Sequence, residues 1–163
     1  MAVQAFVALG ANLGDPVATL RAAIEALRGT TAAKLLTVSS LYRTAPVGLK
    51  DQPDFINAVA LLEVDDSVLP ASTFLLRLFD IEASFGRIRS IRNAPRTLDL
   101  DLLLFGDTVC TSPGLTLPHP RLAERAFVLA PLAEIAPTLE IPGYGCVAEL
   151  LTGSANQRIE RLS

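Results

Sequence analysis

Ten residues, RTLDLDLLLF (96–105), restrict the fold of this chain more than any other stretch. Leu98, Leu100, Leu102, Leu103 and Leu104 make the segment apolar on both sides of an extended backbone, which predicts a central, buried strand. Side chains alternate along a strand, so Asp99 and Asp101 share a face, about 6.5–7 Å apart along the backbone. Two like charges in such a setting are costly unless something positive compensates them. The chain must therefore build a layered sheet and bring something positive, a bound cation or its own Arg, to these two acids.

A single domain over 1–163 is the expectation. A chain of 163 residues, 50% of them hydrophobic, buries roughly 68–70% of its unfolded surface and needs no disulfide or metal to fold. Charged residues make up 19%, below the usual ~25%, which excludes a disordered tail or linker protein. No run approaches ~18 uninterrupted apolar residues, so no membrane span is expected. No basic leader precedes Arg21, and a cytoplasmic location follows as the expectation. Cys110 and Cys146 lie 36 residues apart with no CxxC and no Cys/His cluster, and read as buried structural thiols. The net charge of −3 argues against a general nucleic-acid-binding surface.

The periodicity predicts a strand over 2–9, then a helix over 16–28 with Asp15 as N-cap, Pro16 at its first position and Gly29 as its stop. A strand over 34–43, a Gly/Pro loop from Thr44 to Pro53 and a strand over 54–64 follow. Pro70 opens a second helix, with Leu75, Leu78, Phe79, Glu82 and Phe85 near one face and Gly86 at its end. After the strand at 98–105 the chain shows short elements and many prolines. The order β-α-β-β-α-β predicts an α+β sandwich of the ferredoxin-like, split-βαβ type. Its helices would lie on one sheet face, with a short C-terminal extension. Loops or a ligand would cover the other face.

Twelve of the fourteen basic residues are Arg, and Arg87, Arg89, Arg92 and Arg96 fall within ten residues that hold no acid. Arg presents a planar fork of donors suited to carboxylates and phosphates. Oxygen ligands spaced like Asp99 and Asp101 suit Mg²⁺, which binds through one or two carboxylates plus substrate phosphates. Paired with the Arg cluster, they point to a Mg–polyphosphate site; acids neutralised by those Arg, with no metal, is the alternative. There is no GxxxxGK[ST] loop, and GYGCVA (143–148) has too little chain after it for a dinucleotide unit. GANLGD (10–15) reads as a strand–helix turn, with anion binding as its second reading. His119, the single His, lies in LPHPR as a surface-loop residue or, beside Arg121 and Arg125, as a phosphate contact. Phe55 and Asn57 share a strand face, which suits either a core position or a flat heteroaromatic ligand.

Taken in order, ALGANLGD (8–15), SSLYRTAPVG (39–48), DQPDFINAV (51–59), GRIR (86–89), PRTLDLDLLLF (95–105), LTLPHPR (115–121) and RAFVLAPLAEIAP (125–137) resemble one family, the 6-hydroxymethyl-7,8-dihydropterin pyrophosphokinases of folate biosynthesis. The resemblance covers nearly the whole chain and implies a small α+β, ferredoxin-like fold. It implies that the hydroxymethyl oxygen of 6-hydroxymethyl-7,8-dihydropterin attacks the β-phosphorus of ATP, giving AMP and the pterin diphosphate. By that likeness Asp99 and Asp101 hold two Mg²⁺ ions. Arg87, Arg96, His119 and Arg125 match positions that contact the triphosphate, with Arg89 and Arg92 on a mobile loop. Arg87 and Arg96 join the acids as catalytic groups. Glu82 and Thr116 match positions near the nucleotide. Phe55 and Phe127 would sandwich the pterin, and Asn57, with backbone groups at Thr44 and Val47, would read its edge. No dedicated general base is apparent; Asp101 or metal activation of the hydroxyl would serve. The likeness implies no nucleic acid, no membrane and a monomer. Ala11, Asn93, Gly114 and Pro120 depart from the family pattern, and the Arg89–Arg96 stretch is one residue shorter than in the best-known members; these departures imply weaker ATP binding. Another Mg-dependent transferase and a non-catalytic ferredoxin-like module are the competing readings. The latter gives no reason for two acids on one face beside four Arg.

Overall fold

The computed structural model describes residues 2–45, 51–85, 97–154 and 158–162. Val47, Gly86, Arg87, Arg89, Arg92 and Arg96 lie outside them. Strand β1 (Ala2–Ala11) leads into α1 (Pro16–Arg28) through the GANLGD turn, where Gly14 adopts a positive φ of 64°. The Asp15 carboxylate accepts the Ala18 N–H at 3.2 Å, and Gly29 closes the helix, as the sequence predicts. Leu20, Ala23 and Leu27 recur at helical spacing and are buried against the sheet. Strands β2 (Ala33–Val38), β3 (Tyr42–Thr44) and β4 (Phe55–Asp65) follow, then α2 (Ala71–Ser84) and β5 (Asp99–Phe105).

Helix α2 has no side-chain cap, since Pro70 occupies the N-cap. Its stability comes from packing. Phe74 and Leu78 are fully buried, worth about 1.5–3 kcal/mol each, against roughly 1 kcal/mol for a cap. The inward stripe runs through Phe74, Leu78 and Glu82, rotated from the expected one, so that Leu75 and Phe79 are only partly covered.

The main sheet has the order β10–β3–β4–β1–β5, where β10 is the C-terminal strand Ile159–Arg161, and β2 also pairs with β4. The split βαβ arrangement is present: β4 lies between β1 and β2, antiparallel to both. Three expectations need correction. First, 34–43 is two strands rather than one. Between Val38 (opposite Ala60) and Tyr42 (opposite Asn57) the chain steps four residues while β4 steps three. Ser39 absorbs the extra residue, its N–H donating to the Val59 carbonyl and its Oγ accepting the Val59 N–H, both at 2.9 Å. Second, among the described residues β5 is the edge of the sheet, not its centre. It reads as central because both of its faces are covered.

Third, the extension after Gly106 is more than short elements. It forms a hairpin of β6 (Cys110–Ser112) and β7 (Leu115–Leu117), then α3 (Ala126–Ile135), a small hairpin of β8 (Glu140–Ile141) and β9 (Gly145–Cys146), α4 (Val147–Gly153) and β10 (Ile159–Arg161). Helices α1 and α2 cover one sheet face, over Ala5, Val7, Leu9, Leu62 and Leu100. On the opposite face Val128 and Leu132 of α3 and Val147 of α4 pack against Phe6, Val59 and Leu103. Pro131 lies inside α3. An interior Pro costs a helix about 3 kcal/mol, but burial of Val128, Leu129 and Leu132 is worth about 1.5–3 kcal/mol each and outweighs it. The thiols of Cys110 and Cys146 are free and only partly buried, where full burial was expected.

Candidate active site

Strand pairing sets out the floor of the site. Tyr42, Asn57, Gly10 and Asp99 stand opposite one another in a row across β3, β4, β1 and β5. In the next row, Val59, Ala8 and Asp101 align. Both acids therefore share the sheet face on which α3 packs, as the alternation predicts. Helix α3 covers only part of that face. The rest forms a cavity of about 510 Å³, lined by Thr44, Phe55, Asn57, Gly10, Asp99 and Asp101 from the sheet, by Arg121, Glu124, Arg125 and Phe127 from the segment that enters α3, and by Arg158 and Ile159 from β10 and the residue before it. That volume suits a ligand of drug or cofactor size.

Within it, Asn57 is buried and its Nδ2 donates to Thr44 Oγ1 at 2.9 Å, which fixes the plane of the amide. Phe55 and Phe127 are both half-buried, and the Arg125 guanidinium lies 5.4 Å from the centre of the Phe127 ring, within cation–π range. Asn12, also buried, donates from Nδ2 to Gln52 Oε1 at 2.8 Å and to the Pro53 carbonyl at 3.0 Å. The Asn of the GANLGD turn thus holds the segment that leads to Phe55. Neighbouring acids and guanidiniums, Asp99, Asp101 and Glu124 with Arg121, Arg125 and Arg158, give the walls both signs of charge.

His119 lies beside this cavity without lining it. Its N–H donates to the Leu103 carbonyl at 2.9 Å, and its Nδ1 accepts the Arg121 N–H at 3.2 Å. The ring therefore carries its proton on Nε2. Burial, and then the charge of Arg125, hold its pKa down to about 4 against the opposing pull of Asp99, so the imidazole is neutral. Thr116 sits half-buried in β7, outside the cavity lining. Glu82, expected near the nucleotide, is 1% exposed, and its Oε2 accepts the Leu100 N–H at 2.7 Å. The structure thus brings together Thr44, Phe55, Asn57, Asp99, Asp101, Arg125 and Phe127, keeps Glu82 and Thr116 out of the cavity, and describes none of the four clustered Arg.

Gly10, Glu124, Arg158 and Ile159 were not singled out by the sequence. Gly10 was not readable as a site residue, because its place between Asn57 and Asp99 is set by strand register. Nor was Arg158, because nothing local to it points to a site. Among the described residues no group of three or more His, Cys, Asp or Glu could hold a metal by itself. The donor set fits a hard cation that shares its coordination with phosphate and water, such as Mg²⁺, rather than an all-protein cage.

Known proteins resemble this chain. The family described as 7,8-dihydro-6-hydroxymethylpterin-pyrophosphokinase (HPPK) matches residues 6–137. A protein of Pseudomonas aeruginosa named 2-amino-4-hydroxy-6-hydroxymethyldihydropteridine pyrophosphokinase is 43% identical over 162 residues, 99% of this chain and 98% of its own. The protein of that name from Haemophilus influenzae is 40% identical over 161 residues, 99% of each chain. Among solved structures, an HPPK-DHPS in complex with substrates superposes with a TM-score of 0.73 over 94% of this chain and 43% of that one. At 14% identity the superposition speaks to the fold alone. With the family's pattern running through 6–137 and relatives that align almost end to end, the chain belongs to the 7,8-dihydro-6-hydroxymethylpterin-pyrophosphokinase family.

Proposed function

We propose that the cavity over β1, β4 and β5 carries out the reaction of this family, with the residues around it divided between pterin and nucleotide. The chain is an ATP-dependent diphosphotransferase of folate biosynthesis. The hydroxymethyl oxygen of 6-hydroxymethyl-7,8-dihydropterin forms a bond to the β-phosphorus of ATP, the bond from that phosphorus to the α,β-bridging oxygen breaks, and AMP leaves. One observation carries the assignment of the site: the cavity lined by Phe55, Asn57 and Phe127 also has Asp99 and Asp101 along its wall. A flat heterocycle and a metal-bound phosphate chain need those two surfaces side by side.

In this reading Phe55 and Phe127 clamp the pterin ring from two sides. Asn57, with Thr44 and the backbone at Thr44 and Val47, binds its polar edge. Arg125, His119 and the clustered Arg87, Arg89, Arg92 and Arg96 meet the triphosphate, and Thr116 borders the nucleotide. The neutral His119 donates from Nε2 and does not act as a base. Asp99 and Asp101 would hold Mg²⁺, two ions by family likeness, which would neutralise the phosphates and acidify the hydroxyl. Asp101, or metal activation of the hydroxyl alone, would account for the loss of that hydroxyl proton. A monomer is the state proposed by family likeness, and the cytoplasm, where ATP is abundant, is the proposed location.

The test is an incubation with ATP, Mg²⁺ and the reduced pterin alcohol, followed by separation of the nucleotides. AMP is the expected product, and ADP alone overturns the reading. Asp99→Ala or Asp101→Ala is expected to abolish turnover while leaving the circular dichroism spectrum intact; near-normal turnover in either variant contradicts the metal assignment.

A further inference from the structure

Asp99 and Asp101 flank Leu100 on a strand that has no neighbour beyond it in the described sheet. An edge strand presents a row of outward N–H and C=O groups, and those that are buried must find partners. Two of them do. The Leu103 carbonyl accepts the His119 N–H at 2.9 Å. The Leu100 N–H is buried and donates to Glu82 Oε2 at 2.7 Å. Glu82 closes the inward stripe of α2 after Phe74 and Leu78, so its backbone is fixed by the core and cannot follow β5 if β5 turns.

From this we infer that Glu82 is a positioning residue: by holding the Leu100 N–H it sets the aim of the two acids on either side. This inference rests on the reading of Asp99 and Asp101 given above. A buried N–H with no acceptor is not tolerated, so without the Glu82 carboxylate the strand would turn that group towards water. Because side chains alternate about each peptide, the turn would swing Asp99 and Asp101 together and misplace both from the cation they share. Glu82 thus reaches the reaction through the backbone between the acids, not through contact with the nucleotide.

The test compares Glu82→Leu with Glu82→Gln, whose amide oxygen keeps an acceptor. Binding of Mn²⁺ in the presence of α,β-methylene ATP, an unreactive mimic, is followed by loss of the free Mn²⁺ EPR signal. Glu82→Leu is expected to weaken Mn²⁺ binding by about 10- to 100-fold, as for other groups that orient metal ligands. Glu82→Gln is expected to restore most of it. Wild-type affinity in Glu82→Leu overturns the inference, and so does equal weakening in Glu82→Gln, which would mean that the carboxylate itself is used. Hydrogen exchange of the Leu100 amide in the unaltered protein needs no variant: protection is expected, and exchange at the rate of a free amide overturns the inference. Failure of the pyrophosphokinase reading would appear elsewhere, as an absence of AMP from the wild-type chain.

Discussion

Gly10 shows how one missing side chain can shape a site. It stands between Asn57 and Asp99, and a Cβ there would lie 3.1 Å from Asn57 Oδ1. Its φ is not positive, so the demand is for space and not for backbone freedom. Gly10→Ala would push the Asn57 amide off the line set by its bond to Thr44. We expect the pterin KM to rise about 10-fold, since small misplacements of a binding group are costly, with the Mg²⁺ requirement unmoved. Steady-state kinetics at saturating ATP check this; an unchanged pterin KM refutes it. The acid pair itself was readable from alternation alone, because two residues two apart on a strand must share a face. That Asn57 and Gly10 lie in the same row as Asp99 was not readable, because register depends on which strands pair.

At the scale of elements, Glu134 ties three of them together. Its carboxylate accepts the Ser40 N–H at 3.0 Å, the Ser40 hydroxyl at 2.9 Å and the Tyr42 hydroxyl at 2.7 Å, and meets Arg161 of β10 at 3.4 Å. Helix α3, the β2–β3 link and the C-terminal strand converge there. Glu134→Ala is expected to lower stability by about 1–2 kcal/mol, chiefly through the partly buried Tyr42 hydroxyl. By loosening β10 it should also raise the pterin KM, because Arg158 and Ile159 line the cavity. Urea denaturation beside kinetics tests both, and a stability equal to wild type contradicts the role. Helix α3 escaped the sequence reading for a definite reason. Pro131 looks like a breaker in a local window, and only burial against the far sheet face shows why the helix continues through it.

Over the whole molecule, two groups shifted in opposite senses help to set the pH range of stability. His119 in the fold has a pKa of about 4, below the 6.5 of an unfolded chain, so the unfolded state takes up the proton first. Its contribution is complete above pH 6.5 and is lost as the pH falls towards 4. Tyr42 is shifted the other way: burial, then the hydrogen bond to Glu134, push it up from 10 to about 12. Its contribution is present below pH 10 and is lost as the pH rises towards 12. Denaturation measured across this range should give a plateau with a fall at each end. His119→Gln should flatten the acid fall between pH 6.5 and 4, and Tyr42→Phe the alkaline fall between 10 and 12. Unaltered slopes would dissociate these groups from the profile.

By itself the sequence determined the alternation of strands and helices up to β5, apart from the break between β2 and β3, together with the caps of α1, the shared face of Asp99 and Asp101 and, through its motifs, the family. All of these rest on short-range periodicity or on local residue chemistry. Tertiary structure alone decided that β5 is an edge rather than a centre, that α3 and α4 close the second face, that Glu82 grips a backbone N–H, and that Arg158 reaches the cavity. Each of those depends on contacts between residues far apart in the chain, and a strand buried on both faces has the same apolar pattern whether a neighbouring strand or a side chain covers its edge.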